Sequence, residues 1–340
     1  MKSIFTPLAV LLLFTAATVR SEAVSVPEIE SIDFEIELLD TECDMPIDTL
    51  DVSMTNELLG TGLAKVIVRK GVKKVTKTIK EAAKSGKFKR TYPAKGPFGT
   101  LRIVTYNVGT FTKSGASKMD MAARMMKEMR ADAIGLCELD SCTTRTGGTY
   151  QLADFADAMG GWNYSFARAI PYQTGSYGIG VASKRKFKVI DSWSMSLDKG
   201  KGSEQRALSV MEYDKFILAT THLDSKSADA RLAQAKKINE ALVMRYGPTH
   251  KVVILCGDFN EKPSGKAIKE LKKNWTIVSQ QGDTYSSQRP HQCIDYVMVL
   301  NNNSSYAIKR SAVCKEFKKG KASESSDHLP VYVDIKPKRI

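Results

Sequence analysis

The chain has 340 residues, 42% of them hydrophobic, with 11 prolines, six cysteines and a formal net charge of +14. That is enough apolar material for one large core and a small extra module. The sparse cysteines exclude a dense disulfide framework, and no segment after the first 23 residues approaches the 18 apolar residues of a membrane span.

The first 23 residues read as a secretory signal. Lys2 gives the basic start, Leu8 to Phe14 a short apolar run, and Ser21-Glu22-Ala23 small residues for cleavage. A membrane anchor is the alternative, but the run is too short to span comfortably. A soluble protein, secreted or periplasmic, is expected.

Two opposed charge blocks follow. Residues 24–60 hold eleven acids and no lysine or arginine, whereas residues 65–95 hold twelve basic residues against Glu81 alone. The blocks cancel and the signal segment adds one charge, so residues 96–340 carry +13. This predicts an N-terminal module over 24–95 distinct from the rest. Within it, Ile32 to Leu38 alternates like a strand or extended arm. Leu59, Leu63, Val66, Ile67, Val75, Ile79 and Ala82 fall near helical spacing, with lysines on the other face. The plain reading is a solvated helix answering the acidic block; binding to an anionic surface is the sharper one. Thr91 to Gly99, with two prolines and two glycines, reads as a linker.

A second domain is expected over 99–340, where strands and helices alternate. Strands are predicted for LRIVTYNV (from Leu101), DAIGLCEL (from Asp132), KVVILCGDF (from Lys251), CIDYVMVL (from Cys293), YAIKRSAV (from Tyr306) and LPVYVDI (from Leu329). ALSVMEY and KFILATTHL form a hairpin around Asp214-Lys215. A helix capped by Ser117 is expected over 117–131, and another over 227–246 stopped by Gly247-Pro248. A short one starts at Ser264. Helices separated by strand pairs predict a layered α/β protein on two mixed sheets. Cys137 and Cys256 sit in apolar runs and read as buried thiols. Cys43, Cys142, Cys293 and Cys314 are the pairing candidates, with Cys293–Cys314 the first choice because both lie in consecutive strand-like segments.

Polar residues recur at strand tips: Asn107, Glu138, His222, Asp258 and Asn260, with Asp295 opening a strand and Asp327-His328 preceding another. A lone acid there is usually a cap. Eight such residues, all acid, amide or imidazole, supply instead the oxygen ligands of a hard cation and groups that orient water around a phosphate. In "VVILCGDFN", strand residues two apart face the same way, which directs Asp258 and Asn260 at one target.

The segments "TYNV", "LCELD", "TTHLDS", "CGDFN", "CIDYV" and "SSDHLPV" occur in the order of the endonuclease/exonuclease/phosphatase superfamily, which the chain resembles from Leu101 to Ile335. "THLDSKSADARLAQAKKI" is most similar to exported bacterial members of unsettled substrate. The resemblance implies the deoxyribonuclease I-like fold, a four-layer α/β/β/α sandwich. It implies Mg²⁺, or Mn²⁺, held by Glu138, with Asn107 and Asp327 beside the ion or on its waters. Asp258 would deprotonate the attacking water, Asn260 hold a phosphate oxygen, and His328, oriented by Asp295, stabilise charge. His222 would be the general acid, and Arg206 matches an arginine aimed into the site. Ser176 departs from the pattern: many relatives carry there the acid that orients the second histidine. Asp224 reads as a loop-holding residue, while His250 and His291 belong to no motif.

Three functions stand at this point. The first is a secreted Mg²⁺-dependent phosphodiesterase of DNase type, since a +13 body suits a polyanion. The second is an exported phosphatase or sphingomyelinase-like phospholipase acting on inositol phosphates or lipid head groups. The third is a non-catalytic binding protein on the same scaffold. The expected partner is an anionic phosphate ester, nucleic acid among the candidates, with a membrane surface left open and a monomer expected. Tyr164 to Tyr177 holds enough tyrosines to line a substrate groove.

Overall fold

The computed structural model describes residues 92–338 apart from 94 and 114. The signal segment, both charge blocks and Cys43 lie outside the described residues.

Two mixed sheets of six strands each pack face to face, in the orders β11-β12-β1-β2-β4-β3 and β5-β6-β7-β8-β10-β9. Each is built around one parallel pair. In the first sheet these are β1 (Leu101–Asn107) and β2 (Ala133–Ser141), joined through helix α1 (Met119–Met129). In the second they are β7 (Phe216–His222) and β8 (Val252–Asp258), joined through α3 (Ala228–Tyr246). Antiparallel strands flank them: β3 (Asn163–Tyr172), β4 (Gly175–Ser183), β11 (Tyr306–Val313) and β12 (Val331–Pro337) on the first sheet. On the second are β5 (Val189–Leu197), β6 (Arg206–Tyr213), β9 (Trp275–Ile277) and β10 (Asp295–Leu300). Among the described residues there are three further short α-helices, α2 (Gln151–Ala158), α4 (Lys266–Leu271) and α5 (Ala322–Ser325).

Strands buried on both faces read as continuous apolar runs, and β1, β7, β8 and β10 are buried at every position. Ile103, Val181, Leu218, Ile254, Val297 and Val333 fill the space between the sheets. Outside the first sheet α1 contributes Ala122, Met125, Met126 and Met129; outside the second α3 contributes Ala235, Ile238 and Leu242. The result is the expected α/β/β/α layering. Gly135 sets the close approach of the sheets, because a Cβ there would fall 2.3 Å from Cys256 Sγ and 2.7 Å from Thr220 Oγ1.

Several expectations are corrected. No side-chain cap starts α1, whose N-cap is Lys118; the helix ends where Arg130 turns left-handed. Helix α4 is preceded by Gly265 rather than started at Ser264. Ser227 does cap α3, accepting from Ala230 N–H. Cys293 and Cys314 are both free thiols. The chain crosses between sheets after β10, so Cys293 packs outside the second sheet and Cys314 outside the first. The stretch read as a linker is partly structural. Tyr92 is buried against Phe317 and donates to Glu316 O, and Lys95 pairs with Asp132 at 2.8 Å.

Candidate active site

The topology gathers the polar residues at one edge. Parallel strands β1, β7 and β8 end there with Asn107, His222 and Asp258, and the antiparallel β10 starts there with Asp295, register partner of Asp258. The Asp327-His328 pair precedes β12, which runs antiparallel to β1 and so begins at the same edge.

Asn107 ties the two sheets together. Its Nδ2 donates to Glu138 Oε1 and to Asp258 Oδ2, both at 3.0 Å, while its Oδ1 accepts from Gly109 N–H. Its amide thus presents donors to both carboxylates and positions them. Glu138 is not at a strand tip. It sits within β2 at the bulge between Cys137 and Leu139, with φ +60. A bulge re-aims a side chain, and the left-handed backbone there costs about 1–2 kcal/mol. Asp258 and Asn260 converge by a turn, since β8 ends at Asp258 and Asn260 adopts φ +48. Asn260 N–H donates to Asp258 Oδ1 at 2.8 Å, an Asx-type turn. Gly257 is required one residue earlier, at φ +144, where a Cβ would fall 1.9 Å from Thr221 O.

The two histidines differ in kind. His328 Nδ1 lies 2.9 Å from Asp295 Oδ2, which also accepts from Thr284 Oγ1, and its Nε2 lies 3.5 Å from Asp258 Oδ2. Burial alone would push the ring down, but the Asp295 and Asp258 carboxylates reverse that and raise it to about 10. His222 lies between Asn260 Nδ2 at 2.9 Å and Arg206 Nη1 at 3.4 Å, only one of which a neutral ring can accept from, and its Nε2 is 3.4 Å from Asp258 Oδ2. Burial first, then the charges of Arg206, His328 and Lys113, holds it well below the usual imidazole range. His328 is the cation of the pair and His222 the neutral ring. Among the described residues no hydrogen bond joins Ser176 or Tyr177 to His222; Glu204 approaches only through Arg206, 2.9 Å from Nη1. The carboxylate that does reach the ring is Asp258, with Oδ2 3.4 Å from His222 Nε2.

Burial pushes the Asp258 carboxyl up to about 7, against the pull of the His328 cation and the Asn107 hydrogen bond. That is the range in which a general base works at neutral pH. Asp258, Asp295 and His328 bring one ligand-type atom each within 4.8 Å of one another, a group that could hold a metal ion. Asp295 and Asp258 are nevertheless committed to His328 and Asn107. A second pair of carboxylates, Glu138 and Asp327, lies close by. Lys113 Nζ lies 3.3 Å from Asp327 Oδ2 and 3.6 Å from Glu138 Oε2. One ammonium already occupies the position between these carboxylates, and an oxygen-only donor pair suits a hard cation.

A groove of about 230 Å³ opens from Glu138, lined by Lys113, Arg145, Tyr172, Tyr177 and Glu204 among others. Arg145 is bidentate on buried Asp140, at 2.6 and 2.7 Å, with its guanidinium 4.2 Å from the centre of the Tyr172 ring. Of the tyrosines expected at the groove, Tyr172 and Tyr177 line it, whereas Tyr164 packs on Tyr150. Asp224 is structural, as expected: it accepts from Lys226 and Ser227 N–H and from Ser203. Lys113 and Arg145 escaped the sequence reading, since neither stands at a strand end.

Paired mixed sheets with carboxylates, an amide and an imidazolium at one edge are the architecture of a deoxyribonuclease I-like phosphoester hydrolase. The chain belongs to the Endonuclease/Exonuclease/phosphatase family, whose model matches residues 104–328. A mannosyl-6-phosphatase of Bacteroides thetaiotaomicron superposes with a TM-score of 0.56 at 18% identity, over 69% of this chain and 99% of that one. An endonuclease/exonuclease/phosphatase of Bacteroides vulgatus gives 0.58 at 17%, over 70% and 99%. The catalytic domain of human Nocturnin with bound sulfate gives 0.55 at 16%, over 72% and 96%. These likenesses are of fold. No curated protein matches the chain.

Proposed function

We propose that this chain is an exported, Mg²⁺-dependent phosphoesterase that hydrolyses phosphodiester bonds, with nucleic acid as the leading substrate. The observation that carries this reading is the Asn107 amide, which couples Glu138 to Asp258 while His328 stands as a cation between Asp258 and Asp295. One element thereby aligns a cation-binding carboxylate with a general base and a fixed positive charge. The +13 charge of residues 96–340 supports a polyanionic substrate, and the signal-like first 23 residues support export.

Glu138 and Asp327 would hold the divalent ion, which when bound neutralises phosphate charge as a Lewis acid. Asp258 takes the proton of the attacking water as the new O–P bond forms and the ester P–O bond breaks. His328, kept protonated and oriented by Asp295, donates from Nε2 toward charge growing on the phosphate oxygens. Asn260 holds a phosphate oxygen, and His222 fixes the Asn260 amide by accepting from it. A neutral His222 is not a proton source, so the leaving oxygen takes its proton from solvent. The general-acid role implied by the resemblance is the alternative, and comparing leaving groups in His222→Ala separates the two.

A second reading, a phosphatase acting on a sugar phosphate, is favoured by the charge balance of the groove. Arg145 is answered by Asp140, and Glu204 lines the wall, which leaves a polar, nearly neutral pocket suited to hydroxyls. Purified protein assayed with Mg²⁺ against plasmid DNA, RNA, mannose 6-phosphate, inositol phosphates and sphingomyelin separates these. Cleavage of nucleic acid alone supports the first reading, and turnover of mannose 6-phosphate alone the second. Inertness toward every ester overturns both.

A further inference from the structure

Lys113 has no task in the mechanism above, yet its ammonium bridges the two carboxylates assigned to the cation, at 3.3 Å from Asp327 and 3.6 Å from Glu138. The side chain is 41% exposed and reaches this position from the loop after the Gly109–Phe111 turn. Its stem crosses Gly109 so closely that a Cβ there would lie 2.2 Å from Lys113 Cγ. A bare backbone at Gly109 therefore leaves the lane along which the stem runs. The same side chain lines the groove that opens from Glu138.

A divalent cation and an ammonium compete for one pair of carboxylates, because like charges at contact distance repel even at the dielectric of a protein surface. An incoming cation must displace the ammonium. A half-exposed lysine with three rotatable donors has a ready alternative position, in the groove, where the substrate phosphate offers it fresh oxygen acceptors. We infer that Lys113 is a substrate-phosphate ligand held in reserve on Glu138 and Asp327: the cation releases it, and the phosphate captures it. Metal and phosphate then bind cooperatively, since each removes a cost from the binding of the other. This inference rests on the assignment of Glu138 and Asp327 to the metal.

The test measures Mn²⁺ binding to the full chain by electron paramagnetic resonance, with and without inorganic phosphate. It uses wild type, Lys113→Met, Lys113→Arg and Glu138→Ala, each checked for folding by circular dichroism. Without phosphate, Lys113→Met binds Mn²⁺ about tenfold more tightly than wild type, equivalent to about 1.4 kcal/mol, whereas Lys113→Arg stays close to wild type. Phosphate tightens Mn²⁺ binding in wild type at least threefold more than in Lys113→Met. Equal Mn²⁺ affinity in wild type and Lys113→Met, with Glu138→Ala not binding, overturns the role of Lys113 and leaves the metal assignment standing. Tighter binding in Lys113→Met without any loss of phosphate coupling overturns the capture step and with it the proposal. Mn²⁺ binding that survives Glu138→Ala unchanged overturns the metal assignment and the proposal together.

Discussion

Asp295→Asn isolates the group that keeps His328 charged. The rise of His328 from 6.5 to about 10 corresponds to about 5 kcal/mol in favour of the imidazolium. Asp295, Asp258 and Asp327 together outweigh the burial penalty, and Asp295, at 2.9 Å against 3.5 Å for Asp258, supplies the largest part. Removing its charge while keeping its shape takes away about 3 kcal/mol, or about two pKa units. The basic limb of the pH–rate profile then moves from near 10 to near 8. The plateau also falls on the order of 10–100-fold, because an amide orients the ring less firmly than a carboxylate does. The assay is kcat/KM for bis(p-nitrophenyl) phosphate with Mg²⁺ between pH 5 and 10.5, beside the titration of the His328 ring followed by NMR. A basic limb that does not move, with the ring still titrating near 10, would refute the claim that Asp295 holds the charge.

Glu138→Ala removes a cation carboxylate but no packing, so activity should fall below about 1% of wild type while the thermal midpoint stays within a few degrees; turnover near wild type at saturating Mg²⁺ would show that the cation binds elsewhere. The acidic limb of the wild-type profile should fall as pH drops through about 7, because Asp258 must be ionised to accept a proton. Bound cation shifts that limb downward, and a limb above 7 would argue against Asp258 as base. His222→Ala should slow a nitrophenyl ester and an alkyl ester by similar factors, because a neutral ring delivers no proton; a loss confined to the poor leaving group would restore it as the general acid. A chain beginning at residue 99 loses buried Tyr92 and the Lys95–Asp132 pair. It should be about 3–5 kcal/mol less stable than one beginning at residue 91, as urea denaturation would report.

The fold was legible where burial leaves a periodic trace. β1, β7, β8 and β10 are buried throughout and stand out as apolar runs, and the cap at Ser227 marks the start of α3. Site residues at strand ends were legible because an acid or amide after an apolar run has no business in a core. What the sequence hid was local backbone geometry. Alternation within a strand does not bring Asn260 to the site; a left-handed turn does. Glu138 is aimed by a bulge that depends on the pairing of β2 with β4. Cys293 and Cys314 misled because consecutive strands are usually neighbours, and here β10 and β11 belong to different sheets. Lys113 comes from a loop and Arg145 from a single 3-10 turn, where position is set by partners remote in sequence and no period announces them.

The most direct test of the account follows the oxygen of the attacking water. Wild-type protein with Mg²⁺ is given bis(p-nitrophenyl) phosphate in ¹⁸O-labelled water, and the products are analysed by ³¹P NMR and mass spectrometry. One labelled oxygen is expected on the phosphate and none on the nitrophenol, with turnover abolished by EDTA and reduced on the order of 10³-fold or more in Asp258→Asn. Label on the nitrophenol, or turnover indifferent to both EDTA and Asp258→Asn, would contradict cation-assisted attack of an Asp258-activated water on phosphorus.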